Sequence, residues 1–160
     1  MSAKLSFFLN DAHRLVVIGM GNELRTDDAV GIEVARRLKQ KMNARLTVFD
    51  GSMLPDVFIR PACAVRPSHL LIIDAAELHG HPGEWRLLSK EEIDTGLFTT
   101  HAIPATEIAA EIQRRCHAKA AFLGIQPKSR GVGLHLSPEC TNAADEIAKT
   151  IIRLINTPQK

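Results

Sequence analysis

The sequence predicts an α/β protein: a single doubly wound domain of about five mainly parallel strands with helices on both faces. Three observations carry that expectation. The apolar runs at 15–18 (LVVI) and 70–73 (LLII) end abruptly at Gly19 and Asp74, as central strands covered on both sides do. A helix-periodic segment stands between strand-like ones, the pattern of a βαβ unit with its right-handed crossover. The 160 residues suffice for one core, domain 1–160, and leave little for a second.

Taken in order, the first strand is 15–18, followed by Gly19-Met20-Gly21. A helix comes next. Thr26, Asp27 and Asp28 supply its N-cap and first-turn acids, and Val30, Val34 and Leu38 recur on one face. Arg36, Arg37, Lys39 and Lys41 cluster at its end, where cations offset the helix dipole. The second strand is 46–49, ending at Asp50-Gly51, and the third is 70–73. A fourth, 85–88, is entered through the turn-forming His81-Pro82-Gly83. Residues 104–115 read as a helix with proline in its first turn and Ile108 and Ile112 facing inward. The fifth strand, 120–123, closes at Gly124, and the polar stretch 126–133 (QPKSRGVG) reads as a solvated loop. The last helix starts at Ser137-Pro138, an N-cap followed by proline at the first helical position, with Ala144, Ile147, Ala148, Ile151 and Ile155 as its buried seam.

Composition narrows the function classes. At 45% hydrophobic and 24% charged residues, the chain is ordinary globular protein rather than disordered or membrane-embedded. A formal charge of +2 gives no long-range field for nucleic acid. Cys63, Cys116 and Cys140 are odd in number and form no Cys-x-x-Cys, which speaks against a zinc knuckle or a thioredoxin-type pair and for a reducing compartment. The apolar cluster 5–9 is too short for a signal segment or a membrane span. A cytoplasmic monomer with no nucleic-acid or membrane partner is the expectation.

In parallel sheets, sites form beyond the carboxyl ends of the strands. The reactive side chains that follow strand ends are Asp28, Asp50, Asp74 and, on the loop before the helix at 104, His101. Gly19-Met20-Gly21 resembles the opening of a dinucleotide fingerprint, but the sixth position is Leu24 and two carboxylates follow, where a pyrophosphate needs amides and no negative charge. The plainer role of Asp27 and Asp28 is helix capping; one acid is enough for that, leaving the other for different work. Asp74 at a strand end would be partly buried, which is costly without compensation; its plainer role is to accept loop amides. A lone histidine among seven means little by itself. Two carboxylates and an imidazole on separate loops form an open set of oxygen and nitrogen ligands suited to a divalent first-row ion, although the spacing matches no local metal motif.

Gly19-Met20-Gly21-Asn22, Thr26-Asp27-Asp28, Gly31, Asp50-Gly51, Leu71-Ile72-Ile73-Asp74-Ala75, Pro82-Gly83, Thr99-Thr100-His101 and the run Phe122-Leu123-Gly124-Ile125-Gln126-Pro127 are similar, in order and spacing, to motifs of the hydrogenase maturation endopeptidases. The resemblance spans roughly 15–155. It implies an enzyme that trims the C-terminal tail of a nickel-loaded [NiFe] hydrogenase large-subunit precursor. It also implies that Asp28, Asp74 and His101 bind the nickel that the precursor carries. Several relatives have glutamate where this chain has Asp28, a shorter side chain. Under that reading Asp28, Asp74, His101 and Asp50 form the catalytic set, with Asp50 or Asp27 as general base. Two other readings remain at this stage: a non-catalytic nickel-binding maturation factor using the same ligands, and a nucleotide-binding module. No Gly-x-Ser-x-Gly and no His-Glu-x-x-His occurs, which removes serine hydrolases of that type and zincins.

Overall fold

The two apolar runs lie side by side at the centre of a five-stranded sheet. The computed structural model describes residues 2–51, 56–94 and 102–157. The strands are β1 (Leu15–Gly19), β2 (Leu46–Asp50), β3 (His69–Ala75), β4 (Trp85–Leu88) and β5 (Lys119–Ile125), in the order β2-β1-β3-β5-β4. β1 is parallel to β2 and β3, and β3 is parallel to β5. Only β4 is antiparallel, with Trp85 opposite Ile125 and Leu88 opposite Phe122. The connection 76–84 is too short for a crossover helix, so the chain returns along the edge in the opposite sense.

Successive strand residues feed opposite layers, as the pleat requires. Val17, Leu71 and Ile73 join one core with Leu5 of helix α1 (Ser2–Phe8), Leu9 just beyond it, Val30, Val34 and Leu38 of α2 (Val30–Lys39), and Ile147 and Ile151 of α6 (Pro138–Asn156). Val16, Ile18, Leu70 and Ile72 join a second core with Ala62 of α3 (Asp56–Ala64), Ile93 of α4 (Lys90–Asp94), and Ile108 and Ile112 of α5 (Ala102–Cys116). Helices therefore cover both faces, and the expected doubly wound α/β sheet is observed. Each fully buried aliphatic side chain contributes about 1.5–3 kcal/mol by leaving water, which makes these two seams the main source of stability.

The structure adds detail and corrects some of it. α1, α3 and α4 were not expected: the first two lack a long periodic stripe, and α3 contains Pro61, which reads as a helix breaker. Within the apolar cluster 5–9, Leu5 of α1 and Leu9 just beyond the helix are buried. The acids after β1 do not cap α2. Thr26–Ala29 is a separate 3₁₀ turn, and no side chain caps either helix start there. Asp74 lies inside β3 rather than beyond it and is fully buried, not partly so. No helix among the described residues is long and apolar enough to cross a membrane.

Candidate active site at the switch point of the sheet

From β1 the chain first moves outward to β2 and then crosses back over β1 to β3. The crevice where that direction reverses lies between the carboxyl ends of β1 and β3, the preferred ligand position in open α/β sheets. Asp28 follows β1, and Asp74 is the penultimate residue of β3. Asp50 ends β2, next to Gly19 in register, and Ile73 flanks Gly19 on the other side. Two strand spacings of about 4.8 Å therefore separate Asp50 from the end of β3. The three sequence-predicted carboxylates lie on one edge of the sheet.

Glycine brings Asp28 down onto that edge. A Cβ on Gly31 would sit 2.2 Å from the Ile73 carbonyl oxygen and 2.4 Å from that of Met20, and one on Gly19 would meet the Gly31 carbonyl at 2.1 Å. α2 thus starts in direct backbone contact with β1 and β3, and Asp28, one turn earlier, is carried against the strand that holds Asp74. Asp28 is only 2% exposed. Its Oδ2 is buried and makes no hydrogen bond among the described residues. An unpaired buried carboxylate oxygen is costly, which makes Asp28 a candidate ligand-binding group. In Asp74, Oδ1 accepts the Ala75 amide at 2.8 Å, which sets the orientation of its carboxylate.

Asp27, its neighbour, is spent entirely on structure. Oδ2 accepts the amides of Lys128 (2.9 Å) and Ser129 (3.1 Å), and Oδ1 accepts that of Ser137 at 2.6 Å. With three backbone N–H groups occupying most of its lone pairs, Asp27 is the poorer placed of the two candidate bases. The same contacts correct the reading of 126–133 as a simple solvated loop. Thr26 N donates to Gly133 O (2.9 Å), Gly133 N to Leu24 O (3.0 Å), and the Thr26 hydroxyl to Ser129 O (2.7 Å). These bonds hold Thr26 at φ 37°, a left-handed conformation that a β-branched residue adopts only when its surroundings compel it. Lys128 and Arg130 are occupied by Glu139 (2.7 Å) and Glu77 (3.3 Å).

Asp50 is the remaining acid. Its Oδ2 lies 3.5 Å from Arg36 Nε, and its Oδ1 is buried with no hydrogen-bond partner among the described residues. Arg36 also pairs with Glu23 at 2.5 Å. Glu23 first and Asp50 with it hold the guanidinium above its ordinary range. The basic cluster at the end of α2 therefore does more than answer a helix dipole: Arg36 lies beside a candidate-site carboxylate, and Arg37 ties α2 to Asp145 of α6 at 2.6 Å.

His101 lies outside the described residues. Among the described residues, no group of three His, Cys, Asp or Glu side chains is assembled to hold an ion; the candidate set they supply is the edge-sharing carboxylates. His69 had no acidic neighbour by sequence, yet its Nε2 is 3.3 Å from Asp11 Oδ1. That pair sits at the amino end of β3, away from the site. Sequence reasoning also missed Gln126, which is 6% exposed. Its Oε1 accepts Leu78 N at 2.7 Å and its Nε2 donates to Pro127 O at 3.2 Å, fixing the loop after β3. The sequence signals were the family-like run that ends in Gln126-Pro127 and a long polar residue directly after a buried strand.

Known proteins resemble this chain in sequence and fold. The hydrogenase maturation protease family model (HycI) matches residues 32–154. A candidate hydrogenase maturation protease of Methanocaldococcus jannaschii is 33% identical over 155 residues, covering 92% of this chain and 91% of the relative. The hydrogenase 3 maturation protease of Escherichia coli K12 is 27% identical over 133 residues, covering 82% of this chain and 85% of its own length. Among solved structures, the [NiFe] hydrogenase maturation protease HycI from Thermococcus kodakarensis KOD1 superposes with a TM-score of 0.83 at 24% identity, over 97% of this chain and 100% of the other. The endopeptidase HycI from E. coli gives 0.74 at 27% identity, over 89% of each chain. With more than half its length matched by the family model and a relative above 30% identity along nearly all of it, the chain belongs to the hydrogenase maturation protease family.

Proposed function

We propose that this protein is the endopeptidase that removes the C-terminal extension of a [NiFe] hydrogenase large-subunit precursor, and that nickel already lodged in the precursor is its recognition element. The observation that carries this reading is the placement of Asp28 and Asp74 at the switch-point edge, with Asp28 Oδ2 buried and unpartnered among the described residues. Carboxylate oxygens are hard donors, and with the imidazole of His101 they form an open ligand set for a divalent first-row ion. The ion belongs to the substrate.

In this scheme Asp28, Asp74 and His101 grip the precursor's nickel from one side and fix the scissile peptide beside the sheet edge. Substrate-borne nickel polarises the scissile carbonyl or an attacking water. Asp50, oriented by Arg36, is the general base, its buried Oδ1 turned away from the guanidinium contact. Family membership supports the peptidase class, and the resemblance of Thr99-Thr100-His101 to the family motif supports the third ligand.

The test uses purified protein mixed with nickel-loaded or nickel-free precursor, followed by intact-mass measurement. A single C-terminal truncation confined to the nickel-loaded sample is the expected result. Equal cleavage of both precursors would remove the nickel gate. Nickel-dependent binding with no cleavage would reassign the protein as a non-catalytic maturation factor.

A further inference from the structure

Beside the carboxylate edge stands a surface that the cleavage chemistry leaves unused. Val132 is 95% exposed, Leu134 73% and Leu24 64%. Single exposed aliphatic residues are ordinary, but a cluster at one place marks an interaction site. These three sit on two chain segments paired to each other: Arg25 and Gly133 form a parallel bridge, and Gly133 N donates to Leu24 O at 3.0 Å. Gly133 itself turns inward, since a Cβ there would come within 2.7 Å of Thr26 Cγ2. Val132 and Leu134, on either side, are left facing water. Arg25 lies in the same patch. Its Nε donates to Arg130 O at 3.2 Å, while its guanidinium meets no carboxylate among the described residues.

The patch is rigidly coupled to the site. The stretch that presents Leu24 and Arg25 runs directly into Asp28. The stretch that presents Val132 and Leu134 is held by Asp27 through Lys128 N, Ser129 N and Ser137 N. A ligand seated on these side chains would lie on the two segments that meet at Asp27 and run into Asp28, and Arg25 adds a positive charge to the apolar contact.

We infer that Leu24, Val132, Leu134 and Arg25 dock the precursor segment next to the scissile bond, an extended peptide that lays apolar side chains on the three aliphatic residues and a carboxylate on Arg25. The partner's identity rests on the peptidase reading above; the chemistry of the patch does not. Its function is affinity and register, separate from bond cleavage.

The experiment measures binding of nickel-free precursor by calorimetry, alongside cleavage kinetics with nickel-loaded precursor. The proteins compared are wild type, the triple variant Leu24→Ser/Val132→Ser/Leu134→Ser, Arg25→Gln, and the control Phe7→Ser. Phe7 is 84% exposed on α1, away from the site. Truncating the central apolar contacts of an interface commonly weakens binding about tenfold or more. The triple variant should show that loss in Kd and in KM with kcat nearly unchanged, Arg25→Gln a loss of about three- to tenfold, and Phe7→Ser none. Wild-type affinity in the triple variant, with cleavage intact, would overturn the docking surface and leave the peptidase reading standing. Binding by wild type that the triple variant loses, with no cleavage by either, would keep the surface and sink the peptidase. A wild-type dimer that the triple variant dissolves, at unchanged precursor affinity, would assign the patch to self-association and overturn the proposal.

Discussion

Asp27 Oδ1 accepts the backbone amide of Ser137 at 2.6 Å, across 110 residues of sequence. Ser137 is in turn the N-cap of α6, its side chain accepting from Cys140 N. One carboxylate therefore links the turn after β1 to the start of the last helix. Asp28, the next residue, has its Oδ2 buried without a hydrogen bond among the described residues. Adjacent acids of the same chemistry differ in their partners, which makes them separable by mutation.

Asp27→Ala should be a stability variant. It strands three part-buried amides that now bond to a charged acceptor, and hydrogen bonds to charged groups contribute roughly 1.5–3 kcal/mol each. Since some amides will find water, a net loss of about 3–5 kcal/mol is expected, read from urea unfolding. A loss below about 1 kcal/mol would mean that the loop 126–137 is held by other contacts.

Asp28→Asn and Asp74→Asn should be activity variants. Each keeps its shape and removes a charge from the proposed nickel-gripping edge, so precursor cleavage should fall by about a hundredfold or more while circular dichroism stays native. For Asp28→Asn the unfolding midpoint should hold or rise, because a buried, unpaired oxygen no longer carries charge. Full activity in either variant would take that residue out of the mechanism.

Gly31→Ala probes the close approach that lowers Asp28 onto the strand ends. The added methyl would meet the Ile73 and Met20 carbonyl oxygens at 2.2 and 2.4 Å, so α2 must move outward. Overpacking of this kind costs about 1–3 kcal/mol or more, and cleavage should drop more steeply than stability, since Asp28 moves with the helix. A variant with native melting temperature and native cleavage would show that the helix start is not what positions the acid.

Stability should fall below about neutral pH through His69. Burial pushes this imidazole below its ordinary 6.5; nearby Lys119 and His13 add to that, and Asp11 opposes it. Protonation is therefore harder in the folded chain than in the unfolded one. The sign follows: the unfolded state takes up the proton first, so stability is full above pH 6.5 and declines as pH drops from there toward the lower folded value. Urea midpoints at pH 7.5 and 5.5 should differ more for wild type than for His69→Gln, which cannot titrate. Equal differences would place the pH dependence elsewhere.

Much of this molecule was legible in the sequence, and the reasons for the rest are physical. Unbroken aliphatic runs such as Leu70-Leu71-Ile72-Ile73 identify central strands because both faces must be apolar, and the doubly wound order follows from their alternation with helices. The candidate carboxylates could be named because reactive groups gather at strand ends. Sequence could not divide the acid pair, since Asp27 is claimed by amides at 128, 129 and 137, and no local pattern announces a partner a hundred residues away. For the same reason QPKSRGVG read as free loop: its polarity was visible, but not that its backbone is sewn to Thr26 and Asp27. α3 was hidden by Pro61, and β4 showed its strand character but not its antiparallel sense. His101 was chosen by motif and position, and it lies outside the described residues.

The stitching of 24–27 to 128–137 also determines how such a protein can be rebuilt. Neither segment is an independent module: replacing 126–137 with the corresponding loop of a relative would break its bonds to Thr26 and Asp27 unless the new loop offers matching carbonyls and amides. The two segments form one split cassette, and a graft meant to change which precursor is accepted should transfer both halves together. Chimaeras carrying one half would be expected to misplace the turn that delivers Asp28, and so to lose cleavage of every precursor rather than exchange one for another.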